Sequence, residues 1–246
     1  MANAEQLKIL GRGIAAWNGW RLENVGLTPD LENADLSGGN WSGADFRHVN
    51  LRGARLHRAN LRCAVFTAAQ MNGAVLSGAN LSGAALDGAD LSGADLNQAN
   101  LTSTDLRKAR LTEADLREAD LSQAVMMQSD VSGSSLQQAR LVRTNLTGAR
   151  LCGSNLQRAV LNGARLLWVD LSDADLSHAS LQQACLDEGR LENTSFQHAD
   201  LQKASFHQAH LNNASLQGAN LDDADFGNVR VSGTRLPQHK VSGNGG

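Results

Sequence analysis

The chain has 246 residues, a formal net charge of −3 and 41% hydrophobic residues, but only 4% aromatic residues, 2 Pro and no Tyr. This near-balanced charge excludes a polyelectrolyte, such as an acidic tail protein or a strongly basic nucleic-acid binder. The scarcity of aromatic residues excludes a conventional globular core.

The first predicted element is one short amphipathic helix over residues 4–22. Apolar residues recur there at helical spacing, namely Leu7, Leu10, Ile14 and Trp17. Gly26 and Pro29 then end the helix. A repeat fold exposes core and strand edges at its ends. We therefore expect the helix to act as a lid, with Trp17, Trp20 and Trp41 as candidates to pack over the first repeat.

A strict five-residue period follows, from Leu31 to Phe226, without insertion or deletion. Every fifth residue, the centre of each unit, is Leu or another large apolar residue, and the residue two positions earlier is small, usually Ala. Neither a helix period of about 3.6 nor a strand period of about 2 keeps these residues on one side. A chain that turns a corner every five residues does, and four corners make a closed square coil.

Several units resemble the A(D/N)LXX motif of the pentapeptide-repeat family, for example residues 79–83 (Ala-Asn-Leu-Ser-Gly), 89–93 (Ala-Asp-Leu-Ser-Gly) and 114–118 (Ala-Asp-Leu-Arg-Glu). The resemblance implies an all-β fold, a right-handed quadrilateral β-helix with four repeats per coil. Residues 31–230 would form about ten coils, a rod roughly 50 Å long if coils are about 4.8 Å apart.

Residues that lie one coil apart form columns along the rod. The column of Gly93 is rich in Gly and Asn, which tolerate positive φ, so we predict type II turns on that face and type I-like turns elsewhere. A second column alternates in charge: Asp90, Arg110, Asp130, Arg150, Asp170, Arg190, His210 and Arg230. It predicts a ladder of opposite charges, and Asn40, Asn60, Asn80 and Asn100 predict an amide ladder.

The motif decays after Val231, and no helix is predicted to cover this end. Phe226, Val231 and Leu236 are therefore a candidate edge for self-association. An irregular lid formed by the tail, which would leave the protein monomeric, is the alternative. The predicted organisation is a helical cap at 1–28, a repeat rod at 29–235 and an irregular tail at 236–246.

The sequence offers no catalytic constellation. Asp and Ser recur because the repeat needs them, and no Ser has a defined His and Asp pair. His178 and His198 lie in one column above Arg158, but a zinc site normally needs three or four ligands, so we predict no metal, no cofactor and no enzymatic activity.

The three cysteines, Cys63, Cys152 and Cys185, lie in different columns and cannot pair. Unpaired thiols suggest a reducing compartment, and no secretory or membrane-spanning segment is predicted. These features predict a cytoplasmic protein with no membrane partner.

One stretch departs from the repeat's outward polarity. On one face, the two residues after the centre are apolar at Met127 and at Leu167-Trp168. A basic pair, Arg107-Lys108, precedes them and an acidic pair, Asp187-Glu188, follows. An apolar patch with a polar rim is typical of a protein interface, although a single Trp lying flat on the rod explains it equally well.

Two functions compete. The first is a rigid scaffold that binds an unidentified protein partner or a second copy of itself. The second is a DNA mimic that interacts with gyrase-type topoisomerases, because the chain also resembles the fluoroquinolone-resistance branch of the family. That branch is dimeric, acidic along the rod and in several cases carries projecting loops. This chain has no loop insertion and no single acidic stripe.

A basic band in the first coils weakens the mimic interpretation: Arg47, Arg52, Arg55, Arg58 and Arg62. Because these residues are spread around two coils without a groove-reading element, the sequence does not favour direct nucleic-acid binding either.

Overall fold

The computed structural model describes residues 2–236, beginning with two short helices. Helix α1 spans Ala4–Leu10 and helix α2 spans Ile14–Glu23. In this described part of the chain, neither helix is long and apolar enough to cross a membrane.

The predicted single helix over residues 4–22 is therefore wrong. Gly11 ends α1, and Gly13, at φ 106°, precedes α2. Gly costs helical stability and readily adopts positive φ, so two Gly within three residues separate segments whose apolar spacing looks continuous in sequence.

Beyond the helices, the chain forms a regular coil held by single-residue parallel bridges. Each bridging residue pairs with the one 20 positions later, from Asp30 with Asn50 to Ser215 with Arg235. The bridges fall into four columns, so each turn of the coil has four five-residue sides. We name the faces by their first central residue: the Leu31, Leu36, Trp41 and Phe46 faces. This architecture confirms an all-β solenoid.

The interior alternates large and small side chains as the sequence predicts. Central residues such as Leu51, Leu121 and Leu211 are 0% exposed. Aromatic rings stack where they follow one another in the Phe46 face, with the Phe46 and Phe66 centroids 5.1 Å apart. The core is thus a continuous stack, in which each coil is buried by its two neighbours.

Polar residues at the small interior positions are hydrogen-bonded. The Thr104 hydroxyl donates to the carbonyl oxygen of Leu101 at 2.7 Å, and that of Thr144 donates to Leu121 at 2.7 Å. Because a buried hydroxyl without a partner is costly, these backbone bonds explain why Ser and Thr can replace Ala inside the rod.

A five-residue unit with Asp or Asn before its centre can pair all of its backbone N–H groups, as residues 50–54 illustrate. Asn50 donates to the preceding coil at 2.9 Å, and Leu51 and Gly53 donate to the next coil at 2.7 and 3.0 Å. Ala54 closes the turn by donating to Leu51 at 3.0 Å. The remaining N–H, of Arg52, donates to the side chain of Asn50 at 3.3 Å. The Asp or Asn of the motif therefore satisfies the one N–H that the backbone leaves free.

The prediction of type II turns on one face only is wrong, because every face carries them. From residue 33 to residue 233, the second residue after each centre has a φ between 53° and 70°. The first residue after the centre does not, and a bond such as Ala34 N–H to Leu31 O at 3.0 Å closes the turn, which defines type II. The register between coils imposes the same corner on all four faces, so residues such as Arg58 adopt it too.

The predicted charge ladder forms only in part. Along its column, Arg150 approaches Asp130 at 3.8 Å, whereas Arg190 approaches Glu192 at 3.9 Å instead. Asp90 accepts bonds from the N–H and hydroxyl of Ser92 within its own turn. The carboxylates are thus engaged by their turns and are less available to the neighbouring coil.

The predicted amide ladder is also partial. Asn60 donates to Asn40 at 2.9 Å. The Asn80 and Asn100 side chains instead accept from the turns of Ser82 and Thr102.

Candidate functional site

The apolar departure from the repeat lies on the Phe46 face, at outward positions of two coils. We call Met127, Leu167 and Trp168 the lateral patch. Trp168 is 57% exposed and Met127 is 37% exposed, whereas Leu167 is partly buried. The structure therefore places the three residues on one face, two coils apart, with the coil of Thr147 and Gly148 between them.

The repeat backbone fixes the position of the lateral patch. Trp168 has a φ of 57°, and its N–H donates to the carbonyl oxygen of Asp187 at 3.1 Å. Gly148, in the coil before it, donates to Leu167 at 2.8 Å. A bulky residue rarely adopts positive φ unless its surroundings impose it, so the turn rather than the side chain determines where Trp168 lies.

The basic side of the rim consists of Arg107 and Lys108. The Arg107 guanidinium makes two hydrogen bonds to Asp105, at 2.8 and 2.5 Å. These bonds, opposed by partial desolvation, lower the pKa of Asp105. Lys108 is exposed, and no ion pair to it occurs among residues 2–236. Lys108 is therefore the available cation of the pair.

On the acidic side of the rim, Asp187 is likewise engaged in hydrogen bonds and Glu188 is left exposed. Asp187 accepts from the hydroxyl of Ser205 at 2.5 Å and from the N–H of His207 at 3.0 Å. Because Ser205 occupies the position where the motif usually has Asp or Asn, Asp187 supplies the missing acceptor from one coil away. Glu188 is exposed and has no ion pair within the described range. The available anion is thus Glu188.

The candidate C-terminal edge is open at its last described residues. Val231 is 55% exposed and Leu236 is 52% exposed, while Phe226 is partly buried and stacks on Phe206 with centroids 4.9 Å apart. Apart from Leu236, the predicted tail lies outside the described residues.

The histidine column and the cysteines do not assemble into a reactive site. The His178 and His198 rings are stacked, with centroids 5.1 Å apart and planes at 14°. Between residues 2 and 236, no group of three or more His, Cys, Asp or Glu could hold a metal ion. The three cysteines are unpaired, and burial raises the pKa of the Cys152 and Cys185 thiols, which disfavours the reactive thiolate.

Charged residues near the two ends of the rod are distributed over all four faces. The acids Asp170, Asp175, Asp200 and Asp187 lie on the Leu31, Leu36, Trp41 and Phe46 faces, respectively. The five arginines of the basic band are spread in the same way, and Arg47 is paired with Asp45 at 2.6 Å. Neither set makes a continuous charged stripe.

Sequence reasoning missed an exposed apolar group beside the helices. Leu22, Val25 and Leu27 are 73%, 80% and 51% exposed. A concavity of about 450 Å³ between the helices is lined in part by Ile9 and Trp20. The available signal was that Leu22 falls outside the helical spacing of the residues that face the coil, whereas Val25 lies beyond the end of α2.

Comparison with known proteins identifies the repeat. The family described as pentapeptide repeats matches residues 30–67, 59–98, 94–133, 104–141, 139–177, 174–213 and 199–236. No curated protein matches the chain.

Solved structures give similar results. HetL, a pentapeptide repeat protein involved in heterocyst differentiation regulation from the cyanobacterium Nostoc sp. strain PCC 7120, is 30% identical. The match covers 89% of this chain and 95% of HetL, with a TM-score of 0.42. A pentapeptide repeat protein of the Arabidopsis thaliana thylakoid lumen is 30% identical over 39% of this chain and 66% of its own, with a TM-score of 0.38. QnrB1, a plasmid-mediated fluoroquinolone resistance protein, is 19% identical over 78% and 92% of the two chains, with a TM-score of 0.46.

Proposed function

Because the chain belongs to the pentapeptide repeat family, we propose that it is a non-catalytic rigid scaffold whose lateral patch binds a protein partner. The observation that carries the proposal is Trp168, which is 57% exposed on the Phe46 face, beside Leu167 and two coils from Met127. Tryptophan is the residue type most enriched among interface hot spots, and a rim of polar residues is typical around it.

The regular hydrogen bonding of the coil supports a scaffold role. Each five-residue unit bonds to both neighbouring coils, as Leu51 and Asn50 do, so the outward side chains are held at fixed spacings. A surface that is already ordered loses less conformational entropy when a partner binds. A flat rod face suits an extended contact better than an enclosed ligand site.

The use of polar side chains within the turns supports a non-catalytic role. Asp115 accepts from the N–H of Arg117 at 3.1 Å, and Ser132 donates to Asp130 at 2.6 Å. Side chains of the types that serve general acid–base or nucleophilic chemistry are thus employed in holding the repeat.

We extend the proposal to the ends of the rod, with about ten right-handed coils, a helical lid at 1–28 and an open edge after 226. Burial of Trp17 against Phe46, with centroids 5.9 Å apart, supports the lid. Exposure of Val231 and Leu236 supports self-association at the other end. The alternative DNA-mimic function has no specific observation in its favour, because the acids lie on four faces.

A capture experiment from native cell extract tests the binding role. The baits are wild type, a Leu167→Ser/Trp168→Ser variant, and a control variant, Gln157→Ser/Arg158→Ser, at the equivalent turn positions of the opposite Leu36 face. We expect mass spectrometry to identify a protein retained by wild type and by the control but lost from the patch variant. Titration calorimetry with the purified partner then measures the loss directly. Equal retention by all three baits would contradict the proposal.

A further inference from the structure

The outward residues of the Phe46 face have an antisymmetric charge order along the rod. Successive coils carry Arg107-Lys108, Met127-Gln128, Thr147-Gly148, Leu167-Trp168 and Asp187-Glu188. The basic and acidic pairs lie two coils on either side of Gly148, and the two apolar coils lie one coil on either side. Reversing the rod about Gly148 therefore exchanges the basic pair with the acidic pair and one apolar coil with the other.

We propose that the protein that occupies the lateral patch is a second copy of this chain, packed antiparallel about a two-fold axis through the coil of Gly148. This inference rests on the proposed binding function and names the partner. The two-fold axis runs along the side of the coil, so it reverses the order of coils but keeps each column opposite the same column.

This symmetry produces two identical pairs of opposite charge. Lys108 of each copy faces Glu188 of the other, and Met127 of each copy faces Leu167 of the other. The coils from 107 to 187 span about 19 Å at about 4.8 Å per coil. Lys108 and Glu188 are available for these contacts because neither forms an ion pair within residues 2–236.

The centre of the patch permits close approach. Gly148 has no side chain, and the Thr147 hydroxyl donates within its own coil to Asn145 at 2.7 Å. No large side chain therefore separates the two faces at the axis. Met127 has a flexible apolar side chain that can adapt to the Leu167 side chain opposite it.

A parallel arrangement of the same faces is disfavoured. It would place the Arg107-Lys108 pair opposite the same pair of the other copy, and likewise the Asp187-Glu188 pair, and like charges across an interface oppose association. The charge order therefore selects the antiparallel orientation and distinguishes it from a contact at the C-terminal edge, which would not involve these residues.

Charge reversal tests the orientation by analytical ultracentrifugation of the full chain at several concentrations. We expect wild type to dimerise, and Lys108→Glu and Glu188→Lys each to raise the dimer dissociation constant at least about tenfold. In Lys108→Glu homodimers two glutamates face two glutamates, and in Glu188→Lys homodimers two lysines face two lysines. An equimolar mixture restores both attractive pairs, so we expect heterodimers at close to wild-type affinity.

Matched controls are Arg158→Glu and Glu118→Lys, at the same turn position on the opposite face. We expect each to dimerise like wild type, and thermal melts verify that all four variants fold. The inference is overturned by a monomeric wild type, by a dimer that the reversals leave unchanged, or by a mixture that does not recover association. The capture experiment tests the proposed function separately. If the protein is monomeric but still retains another protein through the lateral patch, the proposed function is supported and only the self-pairing is contradicted.

Discussion

At the level of single residues, the Asp or Asn before each centre is needed by the turn that follows. In the unit at 115, Asp115 accepts from the N–H of Arg117 at 3.1 Å. Where Ser180 replaces this residue, Asn162 of the preceding coil accepts from the N–H of Gln182 at 3.0 Å instead. At Ser180 the acceptor is thus retained although the motif residue is not.

Substitution at Asp115 is expected to separate the hydrogen bond from the charge. Asp115→Ala should lower the free energy of unfolding by about 1 kcal/mol, because the turn N–H loses its acceptor. Asp115→Asn should cost less, since an amide oxygen can still accept. Denaturant titration measures both, and Glu113→Ala, an exposed acid at a turn corner, serves as the control with little effect. Equal costs for Ala and Asn would count against the acceptor role.

The same carboxylates predict acid sensitivity. The Arg107 and Arg117 side chains hydrogen-bond Asp105 and Asp115 and lower the pKa of each carboxyl. The unfolded chain has Asp pKa values of about 3.9, so this stabilisation is present above about pH 4 and is lost as the pH falls through the lower folded pKa. Melting temperatures from pH 2 to pH 7 should show this decline, and it should be smaller in an Asp105→Asn/Asp115→Asn variant. An identical decline in both proteins would refute the assignment.

The common turn also changes what is expected of two glycines on different faces. Gly93 and Gly83 have φ values of 64° and 68°. Substitution of either glycine by Val should lower the free energy of unfolding by about 1–2 kcal/mol or more, because it forces a branched residue into the left-handed region. Gly83→Val should cost at least as much, since a Cβ there lies 3.4 Å from the Cys63 sulfur, whereas none of the neighbours of Gly93 is within 4 Å. Denaturant unfolding in which only Gly93→Val is destabilised would instead support different turns on the two faces.

At the level of elements, the two helices depend on contacts with the coil. Helix α2 has no side-chain cap at Gly13, but Trp17 donates to the Asp45 carbonyl at 2.8 Å and Arg21 donates to the Arg47 carbonyl at 2.6 Å. Isolated helices of this length are marginal in water. Docking against the first coils, rather than helix propensity, is therefore what stabilises them.

Truncation of Trp17 tests this dependence. Trp17 is 0% exposed. Trp17→Ala should therefore lower the stability of the docked helices by about 3–5 kcal/mol. Hydrogen exchange should become faster in residues 4–23 and in the first coil. Leu22→Ala, in the same helix but 73% exposed, should stay within about 0.5 kcal/mol of wild type. Unchanged exchange in the Trp17 variant would contradict docking as the source of helix stability.

At the scale of the whole molecule, the solenoid is stabilised by contacts between neighbouring coils. Since each coil touches only the coils before and after it, a defect in the middle interrupts the stack on both sides. This arrangement makes a central interior residue more informative than one near either end.

Leu121 provides such a test, because it is 0% exposed near the middle of the rod. Leu121→Asp should unfold or aggregate the protein, since it removes about 1.5–3 kcal/mol of apolar burial and leaves a charge without a partner. Leu121→Met should cost less than about 1.5 kcal/mol, because Met126 already occupies a central position. Circular dichroism melts and light scattering distinguish the variants, and a wild-type melt for Leu121→Asp would exclude its inward placement.

The sequence by itself determined the family, the inward centres, the small interior column and the 20-residue register. The inward centres and the small column follow from one strict five-residue period, whereas the 20-residue register follows from the resemblance of these units to the pentapeptide-repeat motif. It also identified Met127 and Trp168 as departures from outward polarity, and both are exposed.

Only the tertiary structure decided the turn type, the docking of the helices on the first coils, the partial charge ladder and the second role of Asp187. These features depend on contacts across about 20 residues or between helix and coil. At Arg58, for example, residue preference favours an ordinary turn, but the hydrogen bonds between coils hold its φ at 53°. Local sequence determines which side chains can be buried. Closure of the coil determines the backbone conformation at the corners and therefore where the outward side chains lie.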